Sequence, residues 1–226
     1  MDPRFARQYY ESAAAEHWWF HGRRRLVSAM LENHGVSTGV FVDLGAGAES
    51  LFPQTMDVVK LDLVRPESVP GLFVQASAEQ LPFPDSSFDG LGLFDVLEHL
   101  SDPNRCLLEA QRVVRPGGLV IVTVPAYRWL WSPHDDLVGH HRRYTLGELR
   151  TSLSGAGLVL LWSSAFYGFL LPPAAIRAVF SMQSSMSMPS ALINRSLALL
   201  AEWSIRRVIR RPTRIGLSIG AVAKVK

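Results

Sequence analysis

A doubly wound α/β fold, with a mostly parallel sheet covered by helices on both faces, is what this sequence predicts, and three observations carry the prediction. Short, nearly continuous apolar runs recur at 40–44, 58–63, 72–75, 88–94, 119–124, 158–162 and 215–225. Segments with helical periodicity alternate with them, and no repeat or low-complexity linker interrupts the alternation. Strands apolar on both sides belong to parallel sheets sandwiched between helices, whereas half-solvated strands alternate polar and apolar residues.

The elements follow in order. Residues 4–34 read as two helices, one Ala-rich around Ala13–Ala15 and one over Arg23–Asn33, where Leu26, Val27, Met30 and Leu31 share a helical face. Val40–Leu44 is the first strand, ending in Gly45 and Gly47; Val58–Leu63 is the second, ending around Asp62, with a short helix on either side of it. Leu72–Gln75 and Phe88–Phe94 are the third and fourth strands, and Asn104–Val114 is helical. The fifth strand, Leu119–Val124, is opened by Pro116, Gly117 and Gly118. A His- and Arg-rich loop from Ser132 to Tyr144 leads to a helix over Leu146–Ser154, closed by Gly155 and Gly157. Leu158–Trp162 is the sixth strand, and 215–225 the last. The chain is therefore expected to be a single domain over 1–226: a helical lid (1–37), a core (38–164), a helical insertion (165–214) and a final strand (215–226).

Composition agrees. With 226 residues, 48% of them hydrophobic, the chain is long enough for one large α/β core and short for two. The formal net charge is only +3, and lysine occurs only at Lys60, Lys224 and Lys226. The sole cysteine, Cys106, excludes an intramolecular disulfide and reads as a buried structural thiol, which suits a reducing compartment and a cytoplasmic location. The N-terminal residues lack the apolar core of a signal peptide. Leu158–Ile176 carries no charge and approaches the length of a membrane span. Ser163, Ser164, Pro172 and Pro173 within it favour a strand followed by a broken, buried helix.

The strongest local motif is VDLGAGAES at 42–50, followed by Asp62 at the end of the next strand. Glycines directly after a strand permit a tight turn and close backbone approach to a ligand at the carboxyl edge of the sheet. An acid closing the second strand can accept hydrogen bonds from both hydroxyls of a ribose. Together with SAEQLPFPDSSFDG, FDVLEHL and RVVRPGGLVIVTVP, all in order, these motifs resemble those of the class I S-adenosylmethionine-dependent methyltransferases, over roughly residues 38–164.

That resemblance implies a Rossmann-like sheet of seven strands, the last antiparallel, and a cofactor, S-adenosyl-L-methionine, that leaves as S-adenosyl-L-homocysteine. It places the methionine part of the cofactor on Asp43, Gly45, Ala46 and Gly47, the ribose on Asp62 beside Leu63, and the adenine near Ser77, Ala78 and Glu79. Phe94 and Asp95 would face the transferred methyl. Two departures stand out. Ser77 replaces the common acid near the adenine, and Glu49 occupies the third glycine position, where it either turns outward or pairs with the cofactor ammonium. A dinucleotide-binding oxidoreductase fits less well, because the third glycine of its fingerprint is missing too.

On the acceptor side the resemblance leaves few required groups, since the cofactor carries the reactivity and the protein mainly orients the acceptor. His99 is the first general-base candidate, with an ordinary imidazole pKa of about 6.5 suited to neutral pH; its bland alternative is packing beneath the cofactor. His134, His140 and Tyr144 follow the fifth strand as further acid–base candidates. His141, Arg142 and Arg143 could hold an anionic acceptor, or the arginines could instead anchor the loop on Asp135 or Asp136. Trp18 and Trp19 either close over the ligand or staple the N-terminal helix. No metal is expected, because His134, Asp135 and His140 lack cysteine support and are loosely spaced.

The resulting expectation is a methyltransferase for a small-molecule or lipid-like acceptor, with peripheral membrane contact and a homodimer both compatible with the apolar 165–214 excursion. The absence of an Asn-Pro-Pro-Tyr or Asp-Pro-Pro-Tyr sequence after the fourth strand argues against DNA. An RNA or protein methyltransferase is the competing reading, resting on the arginine clusters and a pI near 9.3. A third reading is a cofactor-binding protein that does not methylate, prompted by Glu49.

Overall fold

The computed structural model describes residues 17–179 and 189–226. The Ala-rich helix expected around Ala13–Ala15 lies outside the described residues. Seven strands form one sheet: β1 (Val40–Leu44), β2 (Asp57–Asp62), β3 (Leu72–Gln75), β4 (Phe88–Phe94), β5 (Val114–Pro125), β6 (Val159–Phe166) and β7 (Ser218–Lys224). Their spatial order is β3-β2-β1-β4-β5-β7-β6. The first five pair in parallel, and β7 runs antiparallel to both β5 and β6. The order reverses between β1 and β4, so the carboxyl ends of these two strands open the crevice in which such sheets bind ligands.

Each face of the sheet is covered by its own helices. On β5, Val120, Val122 and Val124 point to one side and pack with α2 (Pro103–Val113) and α4 (Leu146–Gly155). Leu119 and Ile121 point to the other and pack with α1 (Trp18–Asn33) and α6 (Ala191–Arg210). The period-two alternation of a strand thus feeds two separate cores. Leu26, Val27, Met30 and Leu31 of α1 are all buried, so this helix is part of the core and more than a lid. Asp102 caps α2 by accepting from the Asn104 and Arg105 amides, with Pro103 in the first turn where no amide hydrogen is needed. Cys106, on the inner face of α2, is fully buried, and burial pushes its thiol up to about 12.

The structure departs from the sequence reading at several places. The short helices expected on either side of β2 are absent: 45–56 and 63–71 are turns. Gly45, Gly47 and Pro53 in one and Pro66, Pro70 and Gly71 in the other break any helical run. That edge is consequently less covered, and Leu63, Val64 and Leu72 are exposed. Strand β6 runs on to Phe166, because pairing with β7 continues to Phe166 opposite Ser218. The helix expected to be buried after it, α5 (Leu171–Val179), lies at the surface with Ile176 and Val179 exposed. Pro172 and Pro173 occupy its first turn and do not break it. Among the described residues, no helix is long and apolar enough to cross a membrane.

Candidate active site

The carboxyl ends of β1, β2, β4 and β5 open into one cleft of about 1230 Å³. That exceeds the few hundred to 1,000 Å³ usual for a single ligand, and leaves room for a cofactor and an acceptor side by side.

At the β1 end, Gly45 and Gly47 adopt φ of 68° and 58°, the left-handed region in which a side chain is strained. The Gly45 amide donates to the Leu61 carbonyl (2.7 Å), and the Gly47 amide donates to Asp62 Oδ2 (3.1 Å), so the turn is tied to the end of β2. A Cβ on Gly47 would meet no atom within 4 Å; the space over the turn is open. Beneath it Asp43 is 1% exposed. Its Oδ2 accepts from the Ser50 hydroxyl (2.5 Å) and the Leu51 amide (3.3 Å), while its Oδ1 has no partner among the described residues. Burial pushes the Asp43 carboxyl up to about 7.

An orphaned buried acceptor under an open glycine turn fits a ligand that carries a donor or a positive charge, as the methionine part of S-adenosylmethionine does. Asp62, at the strand end beyond the turn, lines the same cleft. Glu49 pairs with Arg24 of α1, both side chains partly exposed at the margin of the same cleft.

Beyond β3, Ser77, Ala78 and Glu79 line the same cleft. The Ser77 hydroxyl accepts from the Glu79 amide (3.2 Å), and Glu79 Oε1 accepts from the Asp102 amide (3.0 Å) and the Ser101 hydroxyl (3.3 Å). Glu79 therefore braces the loop leading into α2. Leu63 and Phe94 also line the cleft, Phe94 packing on Phe52 with ring centres 5.3 Å apart.

At the end of β4, Asp95 adopts φ 56° and takes the guanidinium of Arg23, which also reaches the Thr123 hydroxyl on β5. Arg23 is 3% exposed and lies 5.8 Å from the Trp19 ring centre. One arginine of α1 thus locks that helix onto the carboxyl edge of the sheet, a role the RRR run in the sequence did not reveal. Trp18 is buried and donates its amide to Asn194 of α6, and Trp18 and Trp19 both pack on Tyr167. Both tryptophans staple α1 and also line the cleft.

A single 3-10 turn, Leu97–His99, follows β4 and meets the loop after β5. His99 and His140 are in ring contact, centres 4.7 Å apart. Asp135, fully buried, accepts from His140 Nδ1 (2.8 Å), Arg143 Nε (2.7 Å) and Arg143 Nη2 (3.0 Å). These hydrogen bonds overcome burial and hold the Asp135 carboxyl far below the usual carboxylate range. An ionised Asp135 can only accept, so His140 Nδ1 carries a proton, and Nε2 is the nitrogen turned toward Glu98, 3.9 Å from its Oε1. Burial lowers the pKa of His99, assisted by neighbouring His140, and keeps it neutral.

His134, His141 and Arg143 also line the cleft. Two other candidates stand behind it. Arg142 Nη2 donates to the carbonyls of Leu100 (3.0 Å) and Ser101 (3.2 Å). The buried Tyr144 hydroxyl donates to the Leu97 carbonyl (3.3 Å). The arginines' internal partners are those of a loop anchor, with Arg143 on Asp135. Asp135 was expected as one of two possible anchors for the arginines, and that is its place here; Glu98 was given no role by the sequence, although an acid between Leu97 and a histidine was the available signal.

Comparison with known proteins places this geometry. Residues 42–122 match the family described as "Methyltransferase domain". The chain is 52% identical over 50 residues to the ubiquinone/menaquinone biosynthesis C-methyltransferase of Hahella chejuensis, covering 22% of this chain and 20% of that one. It is 39% identical over 89 residues to a "probable S-adenosylmethionine-dependent methyltransferase" of Mycobacterium tuberculosis, covering 38% and 32%. These matches span less than half the length of the curated relatives. Among solved structures, a "possible histamine N-methyltransferase" of Thermotoga maritima shares the fold at 17% identity and a TM-score of 0.61, covering 99% of this chain and 98% of that one. The 1,6-didemethyltoxoflavin-N1-methyltransferase of Burkholderia thailandensis, solved with S-adenosylhomocysteine, does so at 16% identity and a TM-score of 0.61, covering 99% and 86%. Residues 42–122 thus match a methyltransferase domain, and the seven-stranded fold with its antiparallel last strand is shared with these solved methyltransferases.

Proposed function

We propose that this protein transfers the methyl group of S-adenosylmethionine to a small-molecule or lipid-like acceptor. The observation that carries the reading is the continuity of one cleft, from the glycine turn and Asp62 at one end to His99 and His140 at the other. When bound, the cofactor supplies an electrophilic methyl on a sulfonium. The residues that would hold it are Asp43, Gly45, Ala46, Gly47 and Asp62, with Ser77, Ala78 and Glu79 at the adenine end. His140 Nε2, fixed by Asp135, and neutral His99 are placed to take a proton from an acceptor at the far end. Trp18 and Trp19 supply apolar wall there, which suits an uncharged or partly apolar acceptor better than a nucleic acid backbone. His134 and His141 are further acceptor contacts.

Calorimetric titration with S-adenosylmethionine and S-adenosylhomocysteine, with Asp62→Ala as control, tests the cofactor half. Saturable binding weakened at least tenfold in the variant supports it; no binding to the wild type overturns it. Incubation with a radiolabelled methyl donor and a panel of small phenols, quinols and amines tests the acceptor half. Labelling of RNA or protein instead would favour the competing reading. The fold and the lone buried thiol suit a cytoplasmic protein. Leu192, Leu199 and Trp203, exposed on α6 near Arg206 and Arg210, suit peripheral contact with anionic lipid.

A further inference from the structure

We infer that Glu98, His99 and His140 form a binding site for one divalent transition-metal ion at the acceptor end of the cleft. The three side chains come from two separate segments, the 3-10 turn after β4 and the loop after β5, and their ligand atoms all lie within 4.8 Å of one another. Two imidazoles and one carboxylate are the donor set of sites that leave several coordination positions open, and nitrogen-rich donors select a transition metal over magnesium or calcium.

Two independent features separate this cluster from a chance meeting of polar groups. Glu98 is 0% exposed, yet neither of its carboxylate oxygens has a hydrogen-bond partner among the described residues, and Oε1 faces His140 Nε2 at 3.9 Å. A buried carboxylate without partners is costly, and a bound cation removes that cost. Both imidazoles are also held from behind. His140 Nδ1 is on the Asp135 carboxylate at 2.8 Å, and His99 has a backbone hydrogen bond at Gly139. Metal-ligating histidines are commonly oriented this way, with the second nitrogen on a carboxylate or a carbonyl. Gly139 sits in the left-handed region at φ 77°, which turns the chain out of the short helix α3 (Pro133–Val138) and delivers His140 to the cluster. The sequence-based expectation of no metal rested on His134, Asp135 and His140. In the structure Asp135 stands behind His140 as its support, and Glu98 and His99 take the ligand positions.

The proposal concerns ion binding alone and does not depend on methyl transfer. The Nε2 lone pair that takes a proton in the metal-free cleft becomes a ligand when the ion is present. The full chain, stripped with a chelator and dialysed, is titrated with Co²⁺ and followed by visible absorption, with circular dichroism as the check on folding. One equivalent is expected to bind, giving weak d–d bands of a five- or six-coordinate nitrogen and oxygen site and no thiolate charge-transfer band. Binding should be lost in His140→Ala and Glu98→Gln, and weakened roughly 10- to 100-fold in Asp135→Asn, where only a positioning residue changes. His134→Ala, a cleft residue outside the donor set, should bind as the wild type does. No saturable binding up to about 1 mM Co²⁺, or equal binding in folded Glu98→Gln and His140→Ala, overturns the assignment.

Discussion

Replacing Asp43 with asparagine tests the electrostatics under the glycine turn. Burial moves this carboxyl from its ordinary 3.8 up to about 7, against the opposing effects of the Ser50 and Leu51 hydrogen bonds and the charges of Lys60 and Arg23. When the folded value lies above the unfolded one, the unfolded chain releases its proton first, and ionisation costs stability. That cost is nearly absent below about pH 4, grows between about 4 and 7, and is complete above about 7. Moving a carboxyl from 3.8 to about 7 amounts to about 4 kcal/mol. Asparagine removes this cost at every pH but introduces another. Oδ2 accepts two hydrogen bonds, so the amide nitrogen takes the Oδ1 side, which makes no hydrogen bond among the described residues. An unpaired buried donor costs about 1–3 kcal/mol. Asp43→Asn is therefore expected to be more stable than the wild type by about 1–3 kcal/mol at pH 8 and less stable at pH 4. Urea denaturation of both proteins at half-unit pH steps, followed by tryptophan fluorescence, measures the difference. A difference that stays constant from pH 4 to pH 8 would refute the reasoning.

The other predictions concern packing around the same cleft. Gly47→Ala should lose about 1–2 kcal/mol to its left-handed φ and remain folded, because its Cβ meets nothing, but S-adenosylmethionine affinity should fall at least tenfold by calorimetry. Gly45→Ala should lower the melting temperature further, since its Cβ would lie 2.7 Å from Val96 Cγ2. Arg23→Met should cost about 2 kcal/mol by chemical denaturation, less than the 3–5 kcal/mol of a fully buried pair because Asp95 keeps 33% of its side-chain exposure. Arg24→Ala, breaking a more exposed pair with Glu49, should stay within about 0.5 kcal/mol. A Cβ on Gly22 would collide with the Tyr167 hydroxyl, which is buried and has no hydrogen-bond partner among the described residues, so Gly22→Ala should destabilise the protein and Tyr167→Phe should not. Combining the two should rescue Gly22→Ala, and a double variant no more stable than Gly22→Ala alone would show that the hydroxyl is not the obstacle.

The sequence by itself determined the sheet. Val40–Leu44, Leu72–Gln75 and Phe88–Phe94 lie where the apolar runs put them, because strands buried on both faces leave an uninterrupted hydrophobic signal. The glycine turn and Asp62 were legible for a related reason: a tight turn after a strand and an acid at the next strand end are local features, written in consecutive residues. The turns around β2 were misread as helices because Gly and Pro in those segments override the expectation that every parallel crossover is helical. Only the tertiary structure decided the pairings made across distance. Arg23 reaches Asp95 over 72 positions, the Glu98–His99 turn meets His140, and Asp135 rather than an acceptor takes the Arg143 guanidinium. No local pattern encodes which of several arginines, acids and histidines will be buried together; that depends on the crossing of α1 over the sheet edge and on where the loop after β5 returns. The same is true of the two oxygens of Glu98, which have no hydrogen-bond partner among the described residues and are buried only once the surrounding chain has closed over them.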